Sequence, residues 1–366
     1  MAHLRYTQEL EAIKKANRFR QRVVFEDELQ DFASNDYLGL ASKASHIDKA
    51  TKVLKSYSSI APKASMLVNG YHQIHKDFED KLAHLNGFES AICVGSGFLA
   101  NMALIESLVR KNDMLFMDEE YHASGVMASR LLGDRVIIFK HNDIEDLKLK
   151  FAQFSKKRNI IAIEGVYSML GDLVSKEIID FADESESILI VDEAHSAGVI
   201  GDRLLGIFDY FNIKVKPTHI KMGTLGKAYG SYGAYILATK EIISFLENRA
   251  KPIIYSTAPS LFDVVLAHVN IDFIVSNLDY FNDKLKMIRE LINEQLKIEL
   301  KSSILAIEMK SSTDTLNMQK KLIEKGYLVG AIRPPTVKTP ILRIIPRVSQ
   351  DNDDLRELLR LISHNQ

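Results

Sequence analysis

Short apolar runs alternate with amphipathic stretches between residues 89 and 257. The runs have the length and composition of buried strands, and the stretches between them have helical spacing. The runs are ESAICVGS, DMLFMDE, RVIIFK, NIIAIEGV, SILIVDEA, THIKMGTL and GAYILAT. Regular alternation of strands and helices is typical of a mostly parallel sheet covered on both faces. The pattern therefore predicts an α/β fold whose ligands lie at the carboxyl ends of the strands.

The pattern changes after residue 259, where helical spacing continues to about residue 297. A strand in SSILAIEMK, a helix in TLNMQKKLIEKG, strands in YLVGAI and ILRIIPR, and a last helix follow. This mixed order is typical of a smaller α+β unit. We therefore expect an N-terminal helix and extended segment over residues 1–40, a large domain over 41–262 and a small C-terminal domain over 263–366.

Charge and the N-terminal pattern exclude several classes of function. Lys+Arg 47 against Asp+Glu 48 gives a formal net charge of -1, so no strong field favours nucleic acid as a partner. The opening stretch MAHLRYTQELEAIKKANRFRQR has no continuous apolar core, and no other stretch reaches membrane-spanning length. We therefore expect a cytoplasmic protein that does not act on membranes.

The single cysteine and one pair of histidines bear on whether the protein binds a metal. Cys93 alone excludes an intramolecular disulfide and a four-cysteine metal site. His72 and His75 in HQIH have the spacing of a metal-binding pair, but no further ligands accompany them. A solvated helix face is favoured there, and no metal is expected.

Polar residues follow several of the predicted strands. They are Gly95, Ser96 and Gly97 in CVGSGFLAN, His122 in DEEYHAS, Glu164 and Ser168 in NIIAIEGVYSM, and Asp192, Glu193 and His195 in SILIVDEAH. Taken singly, the glycine turn and the carboxylates have ordinary explanations as a tight turn and as helix caps. Their recurrence at one edge of one sheet instead indicates a binding site, with the glycine turn suited to a phosphate.

Lys227 lies in MGTLGKAYGSYGAY, directly after a predicted strand. It is either a surface lysine in a glycine loop or a desolvated amine able to form a Schiff base. Together with a phosphate turn, a carboxylate for a ring nitrogen and a histidine for stacking, the second alternative indicates a pyridoxal phosphate site.

Ordered motifs along nearly the whole chain resemble those of the α-oxoamine synthases, which are pyridoxal phosphate enzymes of fold type I. The motifs are SNDYLGL, GSGFLAN, EGVYSMLGD, VDEAHSAGVIG, GTLGKAYG, YSTAPS and ILRIIP. The resemblance implies a homodimeric transferase of that fold.

The resemblance also implies a role for each matching residue at the cofactor. Lys227 would bind the cofactor covalently and move the substrate's α-proton, and Asp192 would pair with the pyridine nitrogen. His122 would stack on the ring, with His195 and Ser168 near its phenolic oxygen. The phosphate would be bound by Gly97, Phe98 and Thr224, and by Ser256 and Thr257 of the neighbouring subunit.

The substrate residues are implied in the same way. Arg343 would bind the amino acid carboxylate with help from Asn35. An arginine near the N-terminus would contact the acyl chain; Arg20 is the candidate, although the spacing leaves Arg18 and Arg22 open. Thr336 in AIRPPTV would lie beside that chain.

AIRPPTV most resembles the branch of the family that condenses L-alanine with a pimeloyl thioester, carried by coenzyme A or by a carrier protein, in biotin biosynthesis. The alternatives are a glycine acetyltransferase of the same family, a non-catalytic scaffold subunit, and a nicotinamide-dependent reductase reading of GSGFLAN. A scaffold subunit would lack Lys227, and a reductase would have no function for Lys227 or Arg343.

Some positions depart from the family pattern. Pro62 and Lys63 in APKASMLVNG replace flexible residues near the expected acyl entrance, which leaves the shape of that loop open. Leu170 replaces an acidic residue, and Ser196 and Ala197 replace a Gly-Thr pair.

Overall fold

A computed structural model describes residues 2–16 and 18–363 of the chain. The strands are β1 (Gln30–Phe32), β2 (Ser90–Val94), β3 (Asp113–Asp118), β4 (Val136–Phe139), β5 (Arg158–Glu164), β6 (Ile188–Asp192), β7 (His219–Thr224), β8 (Ala234–Ala238), β9 (Leu305–Glu308), β10 (Tyr327–Ile332) and β11 (Ile341–Ile344).

The α-helices connect these strands and cover the sheets. They are α1 (Ala2–Lys15), α2 (Ala44–Leu54), α3 (Gln73–Asn86), α4 (Gly97–Leu108), α5 (Ala123–Ser129), α6 (Ile144–Phe154), α7 (Lys176–Glu184), α8 (Ile207–Tyr210), α9 (Lys240–Arg249), α10 (Lys251–Ile254), α11 (Leu261–Ser276), α12 (Leu278–Leu296), α13 (Ser312–Glu324) and α14 (Asn352–Ser363). A π-helical turn covers Met66–Gly70 and a 3-10 segment covers Arg130–Arg135.

A 7-stranded sheet in the order β2-β8-β7-β6-β5-β3-β4 forms the centre of the fold. Each of its strands coincides with one of the predicted apolar runs, so the prediction of a mostly parallel α/β sheet is confirmed. Within the described residues, only β8 runs against the rest, since it pairs antiparallel with both β2 and β7. The apolar pattern could not predict this reversal because hydrophobicity reports burial and not strand direction.

Alternate side chains of the central strands pack into different cores on the two faces of the sheet. Ile161 and Ile163 of β5 belong to one core, and Ile160 and Ala162 of the same strand belong to the other. Burial on both faces explains why these strands are continuously apolar. Most polar residues of these strands therefore lie at the strand ends, where Asp118, Glu164, Asp192 and Thr224 finish β3, β5, β6 and β7, and the buried Lys221 in the middle of β7 is an exception.

The second sheet has the order β1-β10-β11-β9. Its β1 comes from the N-terminal segment and pairs in parallel with β10, with Phe32 opposite Val329. The expected boundary between residues 262 and 263 falls inside α11, which contacts α2 and α3 of the large unit. The division of the chain into domains stays a prediction.

The segment after β1 connects the small sheet to the lysine loop. Ile345 N–H donates to the Phe32 carbonyl at 2.8 Å, and Val348 N–H donates to the Tyr37 carbonyl at 2.9 Å. On the other side, Gly230 has a φ of +54°, and a Cβ there would lie 2.7 Å from the Leu40 Cβ. The glycine therefore allows the lysine loop to contact the SNDYLGL segment closely.

Among the described helices, none on its own has the length and apolarity to cross a membrane. α11 and α12 pass that test only together, as a pair bent by 81°.

Candidate active site

The Lys227 amine lies at the carboxyl edge of the large sheet, in the loop that follows β7. Its Nζ is 2.7 Å from His195 Nε2. Burial lowers the pKa of Lys227 from its ordinary value of 10.5 to about 8, while the neighbouring Asp192 and Glu164 carboxylates oppose the shift. An appreciable fraction of the amine is therefore neutral and nucleophilic near neutral pH.

His195 connects the lysine to the N-terminal segment. Its Nδ1 is 2.6 Å from the Tyr37 hydroxyl. Burial, and then the charge of Lys227, hold the pKa of His195 well below its ordinary value, so the imidazole is neutral. Burial raises the pKa of Tyr37 to about 12, so its hydroxyl remains protonated. A neutral imidazole has one donor and one acceptor nitrogen, so it links the two groups without adding charge.

Asp192 is held in place by two donors. Asn101 Nδ2 donates to its Oδ2 at 2.8 Å, and Ala194 N–H donates to its Oδ1 at 2.9 Å. The Asn101 amide also donates to Ser124 Oγ at 2.9 Å and accepts from the Tyr121 hydroxyl at 2.8 Å. The carboxylate is thus fixed at the end of β6 by side chains from α4 and α5.

His122 caps the start of α5. The Ser124 hydroxyl lies 2.7 Å from its Nδ1. Since Ser124 Oγ already accepts from Asn101, its proton goes to Nδ1, and the other ring nitrogen of His122 carries the hydrogen. The ring lines a cavity of about 760 Å³, together with Ser168, Met169 and Pro334.

Gly97, Phe98 and Thr224 form the turn expected to bind phosphate. The Ser96 hydroxyl accepts from Leu99 N–H at 3.3 Å and caps α4. The first N–H groups of a helix have no partner within it, which leaves those of Gly97 and Phe98 for a ligand. A Cβ on Gly97 would lie 4.0 Å from the Thr224 Cβ, so the glycine turn and the end of β7 are adjacent.

Ser256 and Thr257 lie elsewhere in the single chain. Thr257 forms a bridge with Ser65, and Ala258 N–H donates to the Ala64 carbonyl at 3.0 Å. Among the described residues, no hydrogen bond joins Ser256 or Thr257 to the phosphate turn. The YSTAPS segment instead packs on the APKAS loop, in which Lys63 has a φ of +66°.

Arg343 of β11 has the geometry of a carboxylate-binding fork. Its Nε donates to the Ser168 carbonyl at 2.8 Å, and its Nη1 donates to Asn35 Oδ1 at 3.0 Å. Its Nη2 is buried and has no hydrogen-bond partner among the described residues. A buried guanidinium nitrogen without a partner is costly unless a ligand such as a carboxylate pairs with it.

The N-terminal arginines meet the AIRPPTV segment. Arg20 Nη2 donates to Thr336 Oγ1 at 3.3 Å. Arg18 and Arg20 line a cavity of about 310 Å³ together with Pro335 and Thr336. Arg22 is not among the residues of this cavity, so the geometry favours Arg18 and Arg20 over Arg22 as the acyl contact.

His72 and His75 act as helix caps. His72 Nδ1 accepts from Ile74 N–H at 3.2 Å, and His75 Nδ1 accepts from His72 N–H at 3.1 Å. His75 Nε2 lies 2.9 Å from the Pro259 carbonyl, so both of its ring nitrogens are engaged. This explains the spacing in HQIH as a capping box at the start of α3.

Sequence reasoning missed the contacts of Tyr37 and Asn101, and it singled out Glu164 only as a polar residue after a strand. Tyr37 and Asn101 stand inside quoted motifs, but their partners come from distant segments and leave no local signal. Glu164 is buried, its Oε2 accepts from Ser168 N–H at 3.2 Å, and its Oε1 has no hydrogen-bond partner among the described residues. Burial, and then the charge of Asp192, raise the pKa of Glu164 well above its ordinary value.

Comparison with known proteins gives similarity over nearly the whole chain. The family model for class I and II aminotransferases matches residues 27–362. The chain is 46% identical over 355 residues to the 8-amino-7-oxononanoate synthase of Helicobacter pylori, covering 96% of this chain and 95% of that protein.

Two solved structures are similar in fold. The serine palmitoyltransferase of Sphingomonas wittichii superposes with a TM-score of 0.87 at 23% identity, covering 97% of this chain and 95% of that one. The 8-amino-7-oxononanoate synthase of Francisella tularensis superposes with a TM-score of 0.76 at 27% identity, covering 93% of this chain and 98% of that one. The expected fold is confirmed by both.

The lowered pKa of Lys227 predicts that its amine reacts with aldehydes at a lower pH than an ordinary lysine does. We expect its amine in the cofactor-free protein to react with an aromatic aldehyde with a midpoint near pH 8. Borohydride reduction followed by peptide mass spectrometry measures the modified fraction at each pH. Asp192→Asn removes a negative charge that raises this pKa, so its midpoint should be lower still.

Lys221 is the internal control for this measurement. Its buried Nζ donates to Asn86 Oδ1 at 2.8 Å, so it should remain unmodified. A midpoint at the ordinary lysine value, or modification of Lys221 in place of Lys227, would contradict the assignment.

Proposed function

Because the chain belongs to the class I and II aminotransferase family of pyridoxal phosphate enzymes, we propose that it is an 8-amino-7-oxononanoate synthase of biotin biosynthesis. Such an enzyme condenses L-alanine with a pimeloyl thioester and releases 8-amino-7-oxononanoate, CO2 and the free thiol. The similarity to the Helicobacter pylori enzyme of that name supports the substrate pair.

One structural observation carries the proposal. A continuous line of polar contacts joins the reactive lysine to the carboxylate fork: Lys227 to His195 at 2.7 Å, His195 to Tyr37 at 2.6 Å, Tyr37 to Asn35 at 3.4 Å, and Asn35 to Arg343 at 3.0 Å. An α-amino acid presents an amine and a carboxylate on one carbon. One end of this line is the Arg343 guanidinium, which suits the carboxylate, and the other is the Lys227 amine, which would hold the aldehyde that receives the substrate's amine.

The residues present fit pyridoxal phosphate. The buried carboxylate of Asp192 suits the pyridine nitrogen, and the free N–H groups of Gly97 and Phe98 suit the phosphate. Lys227 supplies a desolvated amine for the aldehyde, and the exposed ring of His122 suits stacking on the pyridine. When bound, the cofactor supplies an electron sink for the electron pair left on the substrate's α-carbon when its proton is removed.

Lys227 is the group that moves the α-proton. Its neutral form accepts the proton from the α-carbon at Nζ and later returns a proton to the same carbon. His195 lies within hydrogen-bond reach of this nitrogen and holds it in place while remaining neutral itself.

Arg343 and Asn35 orient the amino acid through its carboxylate. The free Nη2 of Arg343 is the donor available to it, since Nε and Nη1 are already bonded. A charge-assisted hydrogen bond from this nitrogen fixes the α-carbon relative to Lys227. Ser168 contributes its carbonyl to Arg343, in addition to the hydroxyl expected near the cofactor's phenolic oxygen.

The acyl chain fits the two cavities beside AIRPPTV. The larger one has apolar walls from Val126, Met127 and Met169, and the smaller one carries Arg18 and Arg20. Apolar walls suit the methylene chain of a pimeloyl group, and an arginine suits its terminal carboxylate or ester.

The YSTAPS hydroxyls would reach the cofactor's phosphate only in a homodimer with shared sites. Large apolar side chains are exposed at Phe98 in the phosphate turn, at Val68 in the π-helical turn and at Tyr255 directly after α10, and α10 contacts both α4 and the π-helical turn. Exposed apolar groups of this size are typical of a subunit interface. We therefore infer that Ser256 and Thr257 reach the phosphate of the partner subunit. The cytoplasmic location stays a prediction.

Lys227→Ala should abolish turnover and leave the fold intact, because no other described lysine lies at the carboxyl edge of β6 and β7 with an open contact to the site. Cofactor should then bind only non-covalently and be removed by dialysis after borohydride treatment. Turnover and retained visible absorbance measure this, with Lys221→Met as a comparison for loss of a buried lysine. Near-normal turnover by Lys227→Ala would contradict the mechanism.

L-Alanine with a pimeloyl thioester should have the highest kcat/KM of the amino acid and thioester pairs. Pro334 and Pro335 restrict the backbone before Thr336, so this wall of the acyl site is held without further ordering. Glycine with acetyl-CoA should be poor, because a two-carbon acyl group leaves the apolar cavity unfilled. Faster turnover of glycine with acetyl-CoA would assign the protein to the acetyltransferase branch and leave the cofactor residues unchanged.

Val68→Asp should weaken the dimer and, with it, cofactor retention. Val68 is 78% exposed in the single chain, so a charge there is harmless in a monomer and buried in the inferred interface. Leu149→Asp on α6, where the side chain is 72% exposed, is the matched control. Sedimentation velocity should give a smaller particle for the first variant only. A fully active monomer of the unaltered protein would overturn the shared site.

A further inference from the structure

His141 lies two residues beyond β4 and is bonded to a carboxylate through each ring nitrogen. Its Nδ1 is 3.0 Å from Asp118 Oδ1, and its Nε2 is 2.8 Å from Asp172 Oδ2. The Tyr167 ring packs edge-on against the imidazole with centroids 4.3 Å apart. None of these contacts has a role in the proton transfer described above.

The double contact requires a charged ring. A carboxylate oxygen accepts hydrogen bonds, so each nitrogen must carry a proton, and the imidazole is an imidazolium. Burial alone would lower the pKa of His141, but the hydrogen bonds and charges of Asp118 and Asp172 outweigh it and raise the pKa from 6.5 to about 10. The geometry and the electrostatics therefore agree on a permanently charged histidine at neutral pH.

Other charged groups near His141 do not displace these partners. Glu119 accepts from the His141 backbone N–H at 3.3 Å through Oε1, and Glu120 donates its own N–H to Asp118 Oδ1 at 2.9 Å. Lys338 pairs with Glu119 and Glu120 at 3.5 and 3.3 Å on the exposed side. Lys338 therefore offsets part of the charge of the two outer acids, and the His141 imidazolium is bonded to the two inner ones.

Asp172 closes the turn that follows β5. Tyr167 N–H donates to the Asp172 carbonyl, and Gly171 N–H donates to the Tyr167 carbonyl, both at 2.9 Å. Asn142 Nδ2 adds a second bond to Asp172 Oδ2 at 2.9 Å. The base of this turn is thus tied to the end of β4 through the Asp172 side chain.

The same turn reaches the substrate fork. It carries Ser168, whose carbonyl accepts from Arg343 Nε and whose N–H donates to Glu164. On its other side a Cβ at Gly171 would lie 2.5 Å from the Ile304 carbonyl, so the turn is packed tightly against the start of the small sheet. A displacement of Asp172 would therefore move the acceptor that orients Arg343.

We propose that the His141 imidazolium, bonded between Asp118 and Asp172, is a positioning residue that fixes the Tyr167–Asp172 turn and thereby the Arg343 fork for the amino acid's carboxylate. This role rests on the proposed function, since it concerns the binding of L-alanine. Without the cation, the fully buried Asp118 and the nearby Asp172 are left without their shared partner, and one of them must protonate or move away.

His141→Gln tests the positioning role, with His219→Gln as the matched control. His219 is also buried and paired with a carboxylate, Asp183 at 2.7 Å, but it lies at the amino end of β7, away from the site. Both variants should lower the melting temperature. His141→Gln alone should raise the KM for L-alanine, by about tenfold, with kcat and the KM for the thioester changed by less than about threefold.

The charge of His141 has a readout independent of activity. In the unaltered protein, nitrogen NMR of the histidine rings should show one ring with both nitrogens protonated that titrates with a pKa of about 10. The signal should vanish in His141→Gln, or shift in Asp172→Asn if the first variant does not fold. A neutral His141 at pH 8 would overturn the proposal.

The stability of the folded protein should change with pH as His141 loses its proton. A histidine whose pKa is raised in the folded state stabilises it fully below the unfolded value of 6.5, and this stabilisation is lost as the pH rises through about 10. The difference in melting temperature between the unaltered protein and His141→Gln should therefore shrink over that interval. A difference that does not depend on pH would overturn the charged state.

The outcomes separate the two proposals. If the unaltered protein does not condense L-alanine, the proposed function fails and the positioning role fails with it. If it does condense L-alanine and the two glutamine variants have equal KM values for it, the positioning role alone fails.

Discussion

The desolvated amine of Lys227 is the constraint on which the rest of the site depends. Lowering its pKa from 10.5 to about 8 corresponds to about 3 kcal/mol against the charged form. The fold supplies this through burial beside the large sheet, and the carboxylates at the ends of β5 and β6 limit it. Without those carboxylates, which raise its pKa, a larger fraction of the amine would be neutral.

The parallel register of β5 and β6 creates that electrostatic balance. It places Glu164 directly opposite Asp192, so two carboxyl groups meet at one buried edge. They differ in their donors: Asp192 receives hydrogen bonds from Asn101 and Ala194, whereas Glu164 receives one from Ser168. The two neighbouring acids therefore lie in unequal environments, and burial, followed by the charge of Asp192, raises the pKa of Glu164.

The amino-acid pattern predicted the strands of the large sheet and the polar residues at their ends, because burial on both faces leaves a direct signal in the sequence. It did not predict that β1 joins the small sheet or that β8 is reversed, since both depend on pairing partners far along the chain. Asn101 and His141 were missed for the same reason. An asparagine inside a helix or a histidine after a strand looks the same in sequence whether or not a distant carboxylate meets it.

The carboxylate fork is assembled from both units of the fold, and this has a consequence for specificity. Arg343 comes from the small sheet, Asn35 from the segment after β1, and the Ser168 carbonyl from the turn after β5. Because Nη2, the one donor nitrogen left without a partner among the described residues, must be aimed by the bonds that Nε and Nη1 make, the fork has this geometry only when the small sheet packs against that turn. The close packing of Gly171 on Ile304 holds the small sheet against the turn. The position of the Arg343 guanidinium is therefore coupled to the packing of the small sheet, whereas Asp192 and Lys227 take their positions from strands of the large sheet.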